Sequence, residues 1–311
     1  KSIKSIKVRT LSNKKENNNF NALFGNKIII KGSKFDATNL INKINEKKKN
    51  NFLKNITKEI EVNFGSVATK KLIPIKKFNL IGKIKDGKFV KINSKGEFSQ
   101  NQFLDITLKN SNVSKTKVLE IYSDIPSAIL ADYNFFKGVS EGKLLYVLNY
   151  NDNNSTSNLR IDNFKLKNAP GFAKLLTLAD FRGAADLLSG EGITFDALEI
   201  KMSNSNDILK IEELYAIGPS ISILVDGYVE NKSGLVSLRG SMVPARELNK
   251  LISKIPVIGK ILIGREVGEG VFGVSFKLKG KPGKIKTSVN PLKTLTPRFI
   301  TRALEKMKKT N

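Results

Sequence analysis

The sequence contains no histidine and no cysteine. The same absence excludes thiol catalysis, Ser-His catalysis and structural zinc sites built from those residues. Asp186, Glu191 and Asp196 lie close together in the sequence and could supply a general acid and a general base. No motif fixes their geometry, so we predict no catalytic residue, no metal site and no cofactor.

Glycines are concentrated in Gly264–Gly273, around Gly268-Glu269-Gly270. A phosphate-binding loop would end in a GK[ST] motif and open a helix. Here no such motif follows, and the glycines precede a strand pattern. We interpret the segment as a turn.

Strict alternation of apolar and polar residues predicts β-strands over most of the chain. Phe272, Val274 and Phe276 alternate with small or charged residues, as do Ile221, Ile223 and Val225. Consecutive strands at 193–202, 207–217, 220–230 and 233–242 predict an antiparallel meander. The fold class is therefore mainly β, a long curved antiparallel sheet with a few short helices.

The N-terminal half follows the same pattern, with predicted strands at 3–11 and 26–31 and an almost continuous strand pattern from 57 to 120. Asp86-Gly87 predicts a tight hairpin turn. Lys14–Asn19 is interpreted as a polar loop, since it consists of lysine, glutamate and asparagine. Short helices are predicted at 37–46, 125–136 and 171–188.

The apolar face of such a sheet must be covered, and three architectures would cover it. They are a sandwich with an ordinary core, a closed barrel, and a trough that holds an apolar ligand. Composition alone favours the sandwich. An outer-membrane barrel would need aromatic girdles, and the chain has no tryptophan and only six tyrosines.

The net charge of +26 is unusually high and comes mostly from lysine. One explanation is an A/T-rich genome, which favours Lys, Asn and Ile codons; the other is attraction to a polyanion or an anionic membrane. The charge is spread along the chain, which favours the first explanation. We predict no nucleic-acid partner, because the aromatic residues alternate with aliphatic ones on strand faces and form no stacking patch.

Four motifs occur in a fixed order at the C-terminal end. They are Gly-Ser-Met-Val-Pro-Ala at 240–245, Leu-Asn-Lys-Leu-Ile with Ile-Pro-Val-Ile-Gly at 248–259, Gly-Glu-Gly-Val-Phe at 268–272, and Val-Asn-Pro-Leu with Leu-Thr-Pro-Arg-Phe at 289–299. Their order and spacing resemble the C-terminal region of the AsmA-like superfamily, most closely its YhdP branch. The resemblance covers roughly 120–311. It departs at Arg246, where the family usually has an aromatic residue, and at Arg298, where it usually has glycine.

The resemblance implies that the sheet is a repeating β-groove and that the protein is not an enzyme. It implies phospholipid transport and outer-membrane lipid homeostasis in the periplasm of a Gram-negative bacterium, by the C-terminal part of an inner-membrane-anchored protein. Phospholipid, the inner leaflet of the outer membrane and an outer-membrane or periplasmic protein are the expected partners. The alternative is a structural or assembly factor for outer-membrane proteins. No run of residues is long and apolar enough for a membrane span, so we expect the anchor in a part that precedes Lys1.

On this interpretation residues 1–136 form a β-rich groove segment with a polar insertion near 42–55, and 137–311 form the AsmA-like region continuous with it. The predicted lipid-binding residues are Ile221, Ile223, Val225, Phe272, Val274 and Phe276. A membrane- or partner-facing tip is predicted from two apolar runs interrupted by proline. Its residues are Leu251, Ile252, Val257, Ile258, Ile261 and Leu262.

Overall fold

The structure is a computed structural model of the 311-residue chain. It describes residues 3–38, 56–70, 73–111, 116–131, 133, 136, 138–179, 190–245, 273–292, 298–299 and 301–302. Among these residues the chain is mainly β, as the alternation predicts. The predicted helix 37–46 lies almost wholly outside these ranges.

Sixteen strands follow one another in a single sheet whose spatial order is the sequence order. They are β1 (Ser5–Ser12), β2 (Lys15–Phe24), β3 (Ile28–Asp36), β4 (Lys58–Ala68), β5 (Ile75–Lys85), β6 (Lys88–Ser99), β7 (Gln102–Asn110), β8 (Lys117–Ser123), β9 (Val139–Tyr150), β10 (Asn154–Leu166), β11 (Ile193–Ser205), β12 (Ile208–Ile217), β13 (Ile221–Glu230), β14 (Val236–Pro244), β15 (Gly273–Gly280) and β16 (Lys286–Leu292). Two short helices accompany them in the described ranges, α1 (Pro126–Leu130) and α2 (Pro170–Leu178). Each begins with proline, whose fixed φ suits the first helical turn.

Within each of the stretches β1–β9 and β10–β16 the described strand pairs are antiparallel, except that β3 and β4 run parallel. A parallel pair requires a crossover connection instead of a hairpin, and this connection spans residues 37–57. The sheet is therefore mixed, whereas the strand pattern predicts an antiparallel one.

Tight turns connect several of the antiparallel strands. Asp86 and Gly87 both have positive φ, 51° and 73°, as a type I′ turn requires. The hairpin predicted from this dipeptide is confirmed. Asn206 and Asp207 adopt the same conformation between β11 and β12, with φ of 49° and 63°.

One sequence-based prediction is wrong, and two predicted helices are present but shorter in the described residues. Lys14–Asn19 is not a loop, because from Lys15 onward it forms the start of β2. Its asparagines find partners across the sheet: Asn17 Nδ2 donates to Asp36 Oδ2 at 3.1 Å, and Asn18 Oδ1 accepts from the Asp36 backbone N–H at 2.9 Å. The helix predicted at 125–136 is confined to α1, and of 171–188 the described part is α2, with 180–189 outside the described residues.

Contacts divide the chain into a first unit, Lys1–Asp152, and a second unit, Asn153–Asn311. The core of the first unit is a cluster at one end of strands β4 to β7. It comprises Phe64, Val67, Ile75, Phe98 and Leu104. Ile125, Ala128 and Ile129, at and within α1, pack against it. The short helix therefore closes this end of the sheet.

The second unit has a cluster on the face of the sheet that carries Tyr215 and Leu224. Phe299, from the C-terminal segment, is fully buried in it, with its ring 6.1 Å from that of Tyr215 in an edge-to-face arrangement. Beside this contact lies Glu213, which is only 5% exposed. Its carboxylate accepts hydrogen bonds from Arg298 Nε and from Arg302 Nε, the latter at 2.7 Å.

The two arginines determine the charge state of Glu213. Burial acts to raise the pKa of Glu213, but the hydrogen bonds from Arg302 and Arg298 outweigh it and lower the pKa below its ordinary value of 4.5. A lowered folded-state pKa stabilises the fold above the unfolded-state pKa, and that stabilisation is lost as pH falls through the folded-state value. The ion pairs thus hold the C-terminal segment on the sheet at neutral pH.

We expect Glu213→Gln to lower the free energy of unfolding at pH 7 by about 1–3 kcal/mol, because two charge-assisted hydrogen bonds are weakened. The difference from the wild type should shrink as pH falls from the ordinary value of 4.5 through the lower folded-state pKa, where the wild-type carboxylate also becomes protonated. Urea unfolding at pH 7 and at acid pH measures both quantities. Glu212→Gln is the matched control, because the Glu212 side chain is 41% exposed and pairs with Lys210. Equal effects of the two variants at pH 7 would contradict the conclusion that the ion pairs of Glu213 hold the C-terminal segment on the sheet.

Candidate functional site

The apolar surface of the first unit is built from cross-strand rows, which we call its inner face. The middle row takes one residue from each of the nine strands. In order these are Ile6, Ala22, Ile30, Val62, Leu80, Ser94, Ile106, Ile121 and Tyr146. Except for Ser94, every member of this row is apolar or aromatic.

The rows on either side of the middle row are also apolar, except for Ser123, which is buried. One contains Phe24, Ile28, Ile60, Gly82, Ile92, Leu108, Leu119 and Leu148. The other contains Val8, Phe20, Gly32, Phe64 and Phe78 on β1 to β5, continued by Gly96, Leu104, Ser123 and Leu144 on β6 to β9. The inner face is therefore continuous across the whole unit.

The opposite face of the same strands is polar. The row beside the middle row contains Lys7, Asn21, Lys31, Asn63, Asn79, Lys95, Asp105, Tyr122 and Leu145. Ion pairs lie on this side, such as Lys27 with Glu61 at 2.8 Å. The hydrogen bond from Lys27 and the charges of Lys27 and Lys31 lower the pKa of Glu61. This is a solvated surface.

Burial varies along the inner face. At the α1 end the face is filled by packed aromatic rings, with Phe20 and Phe35 5.7 Å and 5.1 Å from Phe64. In the middle row Ile30, Val62, Leu80, Ile106 and Ile121 are only half-buried. Four of them, Ile30, Val62, Ile106 and Ile121, also pack against the cluster that contains Phe64. Because exposed apolar patches mark binding surfaces, this row of partly exposed aliphatic side chains is a candidate binding surface.

Ser94 is the polar exception in this row. It is 2% exposed, and its hydroxyl has no hydrogen-bond partner in the described part of the chain. An unsatisfied buried hydroxyl destabilises a fold by about 1–3 kcal/mol. No motif in the sequence identifies this residue, because it stands between Asn93 and Lys95 in an ordinary alternating strand.

Five of the six predicted lipid-binding residues lie on one face of the second unit, as the alternation predicts. Ile223 is in register with Met242 and Val274, and Val225 with Gly240 and Phe276. Ile221 precedes them on the same side of β13, and Phe272 lies outside the described residues. These five side chains are buried, with exposures of 2–8%. The aliphatic side chains of the middle row in the first unit are more exposed than these five residues. Alternation in the sequence does not reveal this difference between the two units.

Helix α2 helps to explain this burial. It follows β10 in the chain, yet it contacts β16, the strand at the far edge of the sheet in the second unit. Leu175 and Leu176 of α2 are buried. The sheet of this unit therefore curves, which brings α2 and β16 together.

The remaining predicted residues are placed as follows. All six tip residues, from Leu251 to Leu262, lie outside the described residues, as does Asp186. Glu191 is exposed and Asp196 is half-buried. Nowhere in the described ranges do three or more acidic side chains form a group that could hold a metal ion.

Comparison with protein-family models, with curated proteins and with solved structures finds no match. None of the helices in the described ranges is long and apolar enough to cross a membrane. The candidate site is an apolar sheet face backed by a charged one.

Neighbouring atoms pack closely over Gly240 on the apolar face of the second unit. We therefore expect this position not to tolerate a side chain. A Cβ at Gly240 would lie 2.5 Å from Phe276 Cζ and 2.6 Å from the Leu224 carbonyl oxygen. The ring can rotate away, but the backbone oxygen cannot. We expect Gly240→Ala to lower the free energy of unfolding by about 1–3 kcal/mol through overpacking.

Urea unfolding measures this effect, and Gly25→Ala is its control. The nearest atom to a Cβ at Gly25 is 3.9 Å away, an ordinary contact. A Gly240→Ala protein as stable as the Gly25→Ala protein would contradict the close approach of the Leu224 carbonyl oxygen to Gly240.

Proposed function

We propose that this chain binds phospholipid on its apolar sheet face and takes part in lipid transport without catalysing a reaction. The observation that carries the proposal is the middle row of the first unit, where partly exposed aliphatic side chains stand on five of the nine strands, β3, β4, β5, β7 and β8. An acyl chain lying along that row would touch these side chains one after another.

The energetics favour such a ligand. Each methylene group removed from water contributes about 0.8 kcal/mol to the binding free energy. Burial of the protein side chains that the acyl chain covers adds to this. Neighbouring strands lie about 5 Å apart, so a lipid that shifts by one strand exchanges one aliphatic contact for a similar one. A lipid could move along the row in small steps, which suits transport better than tight storage.

The cellular setting is proposed from the resemblance of residues 120–311 to AsmA-like proteins. On that basis the chain is the C-terminal part of an inner-membrane-anchored protein of the periplasm that serves outer-membrane lipid homeostasis. The net charge of +26 supports contact with anionic lipid surfaces. The absence of histidine and cysteine agrees with a role that needs no catalytic side chain.

The test uses two neighbouring residues of β5 that face opposite sides of the sheet. Leu80 lies in the middle row, and Ile81 lies on the polar side with 65% exposure. We expect Leu80→Glu to reduce co-purifying phospholipid about tenfold, because a carboxylate beside acyl chains is poorly solvated. Ile81→Glu should retain the wild-type amount.

The measurement is quantitative lipid mass spectrometry of each protein expressed in a Gram-negative periplasm, with thermal unfolding to show that both variants fold. A folded wild-type protein that carries no phospholipid would overturn the proposal. Equal lipid on the two glutamate variants would place the lipid elsewhere than the inner face. Substitutions at Ile223 or Phe276 are less informative, since both are buried and their loss would unfold the unit.

The edge strand β1 supports a second function, as a structural or assembly factor for outer-membrane proteins. In the described part of the chain β1 pairs only with β2, and all of its residues except Val8 are exposed. An open edge can accept a strand from another protein. A lipid-free chain that slows aggregation of an unfolded outer-membrane protein, and loses this effect with proline in β1, would favour this function. If the lipid-free chain does not slow aggregation, the assembly-factor function is ruled out.

A further inference from the structure

The hairpin formed by β15 and β16, which we call the basic hairpin, carries five lysines within ten residues. They are Lys277, Lys279, Lys281, Lys284 and Lys286, and no acidic residue stands between them in the sequence. All five are exposed. In the part of the chain that the structure describes, none of the five forms an ion pair. The basic hairpin is therefore a patch of uncompensated positive charge.

The strand register places two of these lysines directly opposite each other. Lys279 pairs with Lys286 on the polar side of the sheet, and the neighbour of Lys279 on β14 is a serine. The Cβ atoms of such a pair are about 5 Å apart, and like charges in this arrangement destabilise a sheet. In the next row Lys277 lies opposite Arg239, whose guanidinium group is paired with Asp226 at 2.8 Å. An external anion between the two opposed ammonium groups would relieve their repulsion.

The turn of the basic hairpin holds two more lysines close together. The Lys284 backbone N–H donates a hydrogen bond to the Lys281 carbonyl oxygen at 2.9 Å. Pro282 and Gly283 occupy the central positions, and the glycine has a φ of 79°, as a type II turn requires. Lys281 and Lys284 therefore lie at the two ends of one tight turn. The Ile285 side chain follows directly and is 42% exposed.

The hairpin of β5 and β6 provides a comparison, because it also contains a directly opposed lysine pair, Lys83 with Lys91. There Glu59 lies opposite Lys83 on β4. In the same hairpin Lys88 Nζ lies 3.7 Å from Asp152 Oδ1. Acidic side chains of the protein thus compensate this hairpin, whereas the described residues supply none to the basic hairpin.

We propose that the basic hairpin is the surface by which the chain docks on an anionic lipid bilayer. Lipid phosphates present many anions in one plane, and lysines close to such a surface are attracted to it. Burial of the exposed Ile285 side chain among acyl chains adds to this attraction. No aromatic residue lies between Lys277 and Lys286, so the hairpin lacks the stacking groups that single-stranded nucleic acid uses. The inference goes beyond the proposed function, since it concerns a surface other than the inner face.

The experiment measures sedimentation of the full chain with vesicles of phosphatidylethanolamine and phosphatidylglycerol at about 0.15 M salt. We expect the double variant Lys279→Gln, Lys286→Gln to bind about twentyfold more weakly than the wild type, because each lysine near an anionic surface strengthens binding about fivefold. The matched control is Lys83→Gln, Lys91→Gln, which removes the same charge from the other opposed pair. The control should bind nearly as tightly as the wild type. All four lysines are exposed, and thermal unfolding shows that both variants fold.

Equal losses of binding in the two double variants would mean that the net charge of the chain binds the vesicles, which overturns the inference. A wild-type protein that does not sediment with these vesicles overturns it too. If that protein still carries co-purified phospholipid, the proposed function stands, so the two proposals can fail separately. Tighter binding of the wild type to single-stranded RNA than to the vesicles, lost in the Lys279→Gln, Lys286→Gln protein, would assign the basic hairpin to nucleic acid instead and overturn the inference.

Discussion

An open sheet of alternating strands collects its apolar side chains on one face, and that face must be removed from water. The polar face needs no cover, because residues such as Lys31 and Glu61 pair and remain solvated. The rest of the structure depends on how the apolar face is covered. The strands themselves cannot cover it unless the sheet curves, and only two short helices lie in the described ranges.

The two units meet this requirement differently. In the second unit the face is covered, because Ile223, Val225 and Phe276 are buried and α2 reaches β16. Its opposite face is also covered at one end, by Phe299 and the arginines that bind Glu213. In the first unit α1 and a phenylalanine cluster cover one end, and the middle row stays half-buried. A ligand would complete the first unit, whereas the second is already packed.

Alternation in the sequence predicts the strands and the residues that share a face, as Ile223 with Val274 shows. It does not predict burial, because burial depends on the curvature of the sheet and on helices far away in the chain. It also fails where the alternation is interrupted. Gly65 and Lys77 fall between paired residues of β4 and β5, and Lys77 has a φ of 48°. As a result Phe64 and Val67 reach the same core, although a period of two assigns them to opposite faces.

The first half of β2 shows the opposite failure. Residues 15–19 contain no apolar side chain, yet they form a strand that pairs with β1, and Asn17 binds Asp36. Tertiary pairing thus creates strands that composition does not predict. The same reasoning applies to Ser94, whose sequence neighbours Asn93 and Lys95 are polar and whose spatial neighbours are Leu80 and Ile106. A hydroxyl is ordinary in the first setting and uncompensated in the second. The burial of Ser94 among apolar side chains therefore arises from the register of three strands, which the sequence around it does not predict.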